Sequence, residues 1–166
     1  IRLSLVGSEM CIRDSIFIAY FPDSVGRDPM LESLTQRAEE LGMTIVARAV
    51  TSVRELADCL SSGSPAFDAV LVMPNRISSM PEFIEFIGAF AAEHGLPIAG
   101  SSVFSVHKGA LFSNATETYE MGQLAAPLAH KIFQGIPAGT IPVVTAETKL
   151  HLNAKVAREL GIVIPN

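Results

Sequence analysis

The chain has 166 residues, enough to bury one core, and a single domain is the default reading at that length. Apolar residues make up 49% and charged residues only 17%, which is too hydrophobic for a disordered chain, yet no apolar run approaches the roughly 20 residues needed to cross a bilayer. The formal charge is −5 and no two Lys or Arg are adjacent, which argues against a nucleic-acid partner, because phosphate binding needs a concentrated cationic patch.

The first fifteen residues, IRLSLVGSEMCIRDS, stand apart. Their only apolar stretch, Leu3 to Val6, is followed by Glu9 and Asp14, where a signal peptide keeps an unbroken apolar centre and ends in small residues. The string resembles translated sequencing-adapter read-through, so residues 1–15 are set aside as a non-native leader. Ile16 to Phe21, closed by Pro22 and Asp23, reads as a strand buried on both faces. Met30, Leu34, Ala38 and Leu41 recur at helical spacing, and Gly42 ends that helix. Met43 to Val50 is a second strand, and Ser52-x-x-Glu55 a capping box for a helix with Val53, Leu56, Ala57 and Leu60 inside. After the breaker run Ser61 to Pro65, Ala69 to Met73 is a third strand stopped by Pro74. A helix from Ser79 to His94 carries Phe83, Ile84, Ile87 and Ala91 on one side, and Pro97 to Ala99 is a fourth strand. Four strand–helix alternations predict the α/β class, with a doubly wound, mostly parallel sheet and right-handed crossovers.

Beyond Gly100 the rhythm changes. Ala110 to Phe112 reads as a short strand and Thr116 to Gln134 as a long helix with a broad apolar stripe, interrupted by Pro127, where a bend is expected. Ile141 to Val144 and Lys149 to Leu152 read as strands, and Asn153 caps a last short helix ending at Gly161. Cys11 and Cys59 are far apart and match no zinc or redox spacing. Cys59, among the apolar positions of its helix, reads as an inert buried thiol.

The segment Gly109 to Pro165 carries several fixed offsets: Gly109-Ala110-Leu111, Tyr119 before Gly122, Lys131 to Gly135, Ile141-Pro142-Val143, Asn153 with Ala157, Leu160-Gly161 and Pro165. Together they resemble the C-terminal stretch of the ABC-transporter substrate-binding family that includes tryptophan- and tyrosine-type binding proteins. Residues 16–105 match the same family's second lobe more loosely, through the order of strands, loops and helices. The resemblance implies a type I periplasmic binding protein fold, two Rossmann-like lobes joined by a hinge. Residues 16–108 would form the second lobe, 109–140 a crossover strand and helix belonging to a missing first lobe, and 141–166 the return crossover and C-terminal helix. The second lobe would then be incomplete, and the stripe on the long helix would pack on strands the chain lacks. The implied function is non-enzymatic: an extracytoplasmic solute-binding component, periplasmic or membrane-anchored outside the cell, delivering a small polar metabolite such as an amino acid to an ABC permease.

In an open parallel sheet a ligand lies beyond the carboxyl ends of the strands. Four loops meet that description, and they offer Asp23, Ser24, Thr51, Ser52, Asn75, Arg76, Ser78, Ser101 and Ser102. Such groups suit a small zwitterion, and Arg76 matches a carboxylate in bidentate fashion. Many Ser and Thr simply cap helices, and Ser52 is explained that way. No HExxH, GxSxG, GxGxxG or Gly-rich phosphate loop is present, so neither a metal, a cofactor nor a catalytic residue is expected, and the four histidines read as ordinary positions. Two other readings keep the fold. One is a ligand-sensing domain of a signalling receptor. The other is a stand-alone flavodoxin- or receiver-like regulator, which needs clustered acids after the first strand and an Asp at the end of the third, where this chain has Asp23 alone and Met73-Pro74.

Overall fold

Strand β1 (Ser15–Tyr20) is apolar on both sides, and the fold is built around it. In the computed structural model, which describes residues 15–23, 27–61 and 67–164, Phe17 and Ile18 are both buried although they point to opposite faces. A strand of this kind must lie inside a sheet with cover on both sides. The proposed leader and its Cys11 lie outside the described residues apart from Ser15.

The other elements follow in order: α1 (Arg27–Glu40), β2 (Thr44–Ala49), α2 (Val53–Ser61), β3 (Ala69–Leu71), a 3-10 turn (Arg76–Ser79), α3 (Pro81–His94), β4 (Ile98–Gly100), α4 (Val103–His107), β5 (Phe112–Ala115), α5 (Thr118–Phe133), β6 (Lys149–Leu152) and α6 (Ala154–Glu159). The sheet has six strands in the order β2-β1-β3-β4-β5-β6. Strands β1 to β5 are parallel, with Ile16 opposite both Ile45 and Ala69, and only β6 runs antiparallel, Ser113 facing His151. The mostly parallel, doubly wound sheet read from the sequence is the fold observed.

The main core lies on one face. There Phe17, Val70 and Ile98 of the sheet meet Leu56 and Leu60 of α2 and Phe83, Ile84, Ile87 and Ala91 of α3. Phe17 and Phe67 lie 4.9 Å apart between ring centroids, a spacing that adds about 0.5–1.5 kcal/mol beyond area burial. Helix α1 covers the other face, where Ala38 is buried. Its expected inner face is narrower than the sequence spacing indicated: Met30 and Leu41 are exposed, Leu41 because the helix stops at Glu40 and the left-handed Gly42 turns the chain into β2. Cys59 is half-buried against the main core.

Three local expectations are corrected. The fifth strand is Phe112–Ala115 rather than Ala110–Phe112, because β5 alternates and points Ser113 and Ala115 inward between exposed Phe112 and Asn114. Residues 141–144 form no strand; Val143 is 91% exposed and has no partner strand to pair with. The helix expected from Ser79 begins instead with a 3-10 turn and then Pro81 at its first position. Within segment 109–140, β5 is hydrogen-bonded into this sheet, whereas α5, which runs through Pro127, buries no residue.

Helix α4 was not foreseen. It rests against β4 because Gly100 has no side chain; a Cβ there would come within 2.5 Å of the Ser105 Cβ. Gly100→Ala is therefore expected to lower stability by about 1–3 kcal/mol, as overpacking of a closed core does. Urea unfolding checks this, and an unchanged midpoint would mean that α4 lifts away freely.

Candidate functional site

Because β1 to β5 are parallel, the loops after β1, β2, β3 and β4 all emerge at one edge. The chain leaves β1 toward β2 in one direction and leaves β3 toward β4 in the other. Right-handed crossovers then send the two following helices to opposite faces, in keeping with α3, but not α1, in the main core. The loops after neighbouring β1 and β3 diverge, which makes this the topological switch point, the place in open α/β sheets where a ligand crevice forms.

Sequence-predicted residues from all four loops reach this edge, but in different conditions. Thr51 donates its hydroxyl and its backbone N–H to Glu55, at 2.9 and 2.7 Å, and Ser52 Oγ accepts the Glu55 N–H at 3.2 Å. The capping box thus closes on itself, with its back-bond landing on Thr51. Ser102 caps α4, accepting the Ser105 N–H at 3.3 Å. Asn75 is structural as well: its Oδ1 accepts from the Ile77 N–H at 2.8 Å and its Nδ2 donates to the Ala19 carbonyl at 3.4 Å, tying the β3 loop to the end of β1. Ser78 donates to the Asn75 carbonyl at 2.8 Å. Ser101 is half-buried, and Ser24 lies outside the described residues.

The charged pair stands apart from these. Arg76 is exposed, its guanidinium carbon 4.9 Å above the centre of the Phe21 ring. Phe21 is held from below by Phe83, 5.7 Å between centroids. Asp23, two residues beyond Phe21, is exposed. Phe21 was read only as the last residue of a strand; the strand stops at Tyr20, and Phe21 became the floor beneath Arg76.

A second charged group was missed. Because β6 is antiparallel, Lys149 lies opposite Ala115 at the carboxyl end of β5. Its ammonium bonds the Glu120 carboxylate and lies 3.9 Å from that of Glu117. The hydrogen bond to Glu120, then the negative charges of Glu120, Glu117 and Glu147, raise its pKa above the ordinary 10.5. Lys149 was read only as the start of a strand; a contact between residues 29 apart leaves no local signature.

A cavity also lies elsewhere. A groove of about 760 Å³ runs between α3, the α4 exit and α6, lined by Ala91, Gly95, Lys108, Asn153, Val156 and Leu160 among others. It opens by the C-terminal end of α3 and the N-terminal end of α6, opposite the carboxyl edge. Among the described residues no cluster of His, Cys, Asp or Glu could hold a metal ion, and no helix is long and apolar enough to cross a membrane.

An open α/β lobe with its polar groups at the carboxyl edge of a parallel sheet is the architecture of a ligand-binding lobe. A family model described as ABC transporter substrate binding protein matches residues 3–166, and the chain belongs to that family. The match begins inside the segment set aside as a leader. A curated relative, a tyrosine-binding protein of Clostridioides difficile (strain R20291), is 27% identical over 150 residues, which are 89% of this chain and 42% of the relative. Among solved structures, the ABC domain in complex with L-Trp from Streptococcus pneumonia superposes with a TM-score of 0.77 at 24% identity, over 92% of this chain and 51% of that one. A conserved domain protein from Vibrio cholerae O1 biovar El Tor gives 0.77 at 23% identity, with the same coverage. The ligand-free, open structure of a substrate binding protein with adhesive properties from Clostridium difficile gives 0.71 at 23% identity, again over 92% and 51%. These likenesses show the fold, and the chain spans about half the length of the proteins it matches.

Two measurements follow from this geometry. Asn75→Ala removes a cap and the tether to Ala19 together, and is expected to cost about 1–2 kcal/mol in denaturant unfolding; a change within experimental error would show that the β3 loop holds its place without them. The Lys149 side chain, followed by NMR, is expected to titrate above 10.5 and to fall back toward it in Glu120→Gln. A raised pKa means that its stabilising charge is fully present below 10.5 and lost as pH climbs through the folded-state value, so equal titration in both proteins would contradict the bond.

Proposed function

We propose that this chain is the greater part of one lobe of an extracytoplasmic solute-binding protein, and that the protein delivers a small polar metabolite of amino-acid type to an ABC permease. The observation that carries the reading is the convergence of the parallel-strand loops on one edge, in a chain that belongs to this family. Charged and small polar side chains there, Asp23, Arg76 and Ser101 above all, suit a compact ligand with both charges. The described relatives support the same chemistry: one is named for tyrosine and another was solved with L-Trp. The reading is non-enzymatic, and the family favours it over a receiver-like regulator.

A single lobe exposes its ligand to water. In this proposal a second lobe closes over the edge, and closure supplies the difference in affinity that the permease senses. Helix α5 supports the two-lobed arrangement. Met121, Leu124, Ile132 and Phe133 are all exposed, Phe133 at 87%. A stripe of this size on a helix marks a surface meant to be covered, and residues 118–140 would dock on the partner lobe before the chain returns through 141–148 to β6.

Thermal-shift screening of the chain against amino acids tests the ligand class. A ligand at ten times its dissociation constant should add about 1.4 kcal/mol, and a panel without one stabilising compound would remove the amino-acid reading. The α5 proposal predicts that Met121→Gln and Phe133→Gln leave the chain's own stability within about 0.5 kcal/mol, as surface changes do. A loss of several kcal/mol would mean that α5 packs on its own sheet.

A further inference from the structure

We propose that the switch-point crevice grips an α-amino acid in one fixed sense, Arg76 taking the carboxylate and Asp23 the ammonium. The inference rests on the reading of the carboxyl edge as the ligand site and adds the polarity of binding to it.

The polar groups around the crevice divide by what they already do. Thr51, Ser52, Asn75, Ser78 and Ser102 are engaged in caps and turns. A ligand that took those bonds would leave helix ends unsatisfied. Among the described side chains of the two diverging loops, that leaves Arg76 and Asp23 as the charged groups. Among the described residues Arg76 makes no side-chain hydrogen bond or ion pair and lies over the Phe21 ring, and Asp23 makes no such bond either. Phe21 links the two: Arg76 lies over its ring, and Asp23 follows it by two residues in the chain.

Arg76 is also prepared for its role. Phe21 is buried and fixed against Phe83, and the Asn75 bond to Ala19 fixes the start of the loop that carries Arg76. Stacking on a fixed ring restrains a long side chain without using its N–H donors. The guanidinium therefore keeps its planar fork for a carboxylate, the one ligand group that matches it with two parallel bonds. An ammonium cannot be held there, because it would meet a like charge. Asp23 can accept from the ammonium and cannot donate to the carboxylate. The two charges of a zwitterion thus have only one arrangement in which both are matched.

The test is an amide-resolved NMR titration of this chain with three probes: L-tryptophan, tryptamine, which lacks the carboxylate, and indole-3-propionate, which lacks the ammonium. The amides of Tyr20, Phe21 and Asp23 and those of residues 75–78 should shift with L-tryptophan, and each truncated probe should bind about tenfold or more weakly, as the loss of a charged hydrogen bond predicts. Arg76→Gln should erase the gap between L-tryptophan and tryptamine and keep the gap to indole-3-propionate. Asp23→Asn should do the opposite. Both side chains are exposed, and an unchanged melting temperature in each variant confirms that folding is intact. Gaps that persist in both variants, or that respond to the other variant in each case, overturn the polarity while leaving the edge as the site. L-tryptophan that shifts none of these amides overturns the site along with it.

Discussion

The burial of β1 on both faces is the constraint from which the rest of the structure follows. Phe17 and Ile18 point to opposite sides of the sheet and are both out of contact with water, so β1 needs neighbours on each edge and helices on each face. Parallel neighbours satisfy that need only through crossovers, and right-handed crossovers from adjacent β1 and β3 must part to opposite faces. The crevice at the switch point is thus a consequence of how the centre of the sheet is buried. Replacing Phe17 by a small residue would cost roughly 3–5 kcal/mol as a core cavity, and it would loosen the strand whose end carries Phe21 and Asp23.

The edge itself combines two kinds of polar group. Caps and tethers, such as Thr51 with Glu55 and Asn75 with Ala19, hold the loops in place. The exposed charges Arg76 and Asp23 are the groups proposed to meet the ligand. A binding lobe needs both, since an unanchored loop spends ligand affinity on its own ordering. Lys149 and its carboxylate neighbours Glu117 and Glu120 form a third group where β5 hands over to α5. There they join the last two strands to the helix that leaves the sheet, and all three are partly solvent-exposed, so their bonds are worth little individually.

The centre of the fold was readable because its signals are local. The apolar run of β1, the four inward residues of α3 and the cap at Asn153 were each legible from spacing alone, and each is observed. What escaped was set by contacts between distant residues. Helix α4 has only five residues, too few for a period, and it is held by the bare backbone of Gly100. Strand β5 buries Ser113, a residue whose polarity hid the alternation. The apolar run Ile141 to Val144 looked like a strand, but an extended segment becomes one only beside a partner. At the carboxyl edge, spacing and composition could pick out the loops after the strands but could not separate free groups from capping ones. Thr51 and Ser102 resemble Ser101 in composition and differ in which N–H groups lie within reach. Phe21 was overlooked because its importance comes from Arg76 on another strand's loop.

The central claim is that this lobe binds its ligand at the carboxyl edge of the sheet, between the loops after β1 and β3. A crystal structure of the protein grown with L-tryptophan or L-tyrosine tests that claim most directly. The account predicts electron density for the amino acid within hydrogen-bonding distance of Arg76 and Asp23. Density in the groove between α3 and α6, at the opposite edge, with the switch-point crevice empty, would contradict it.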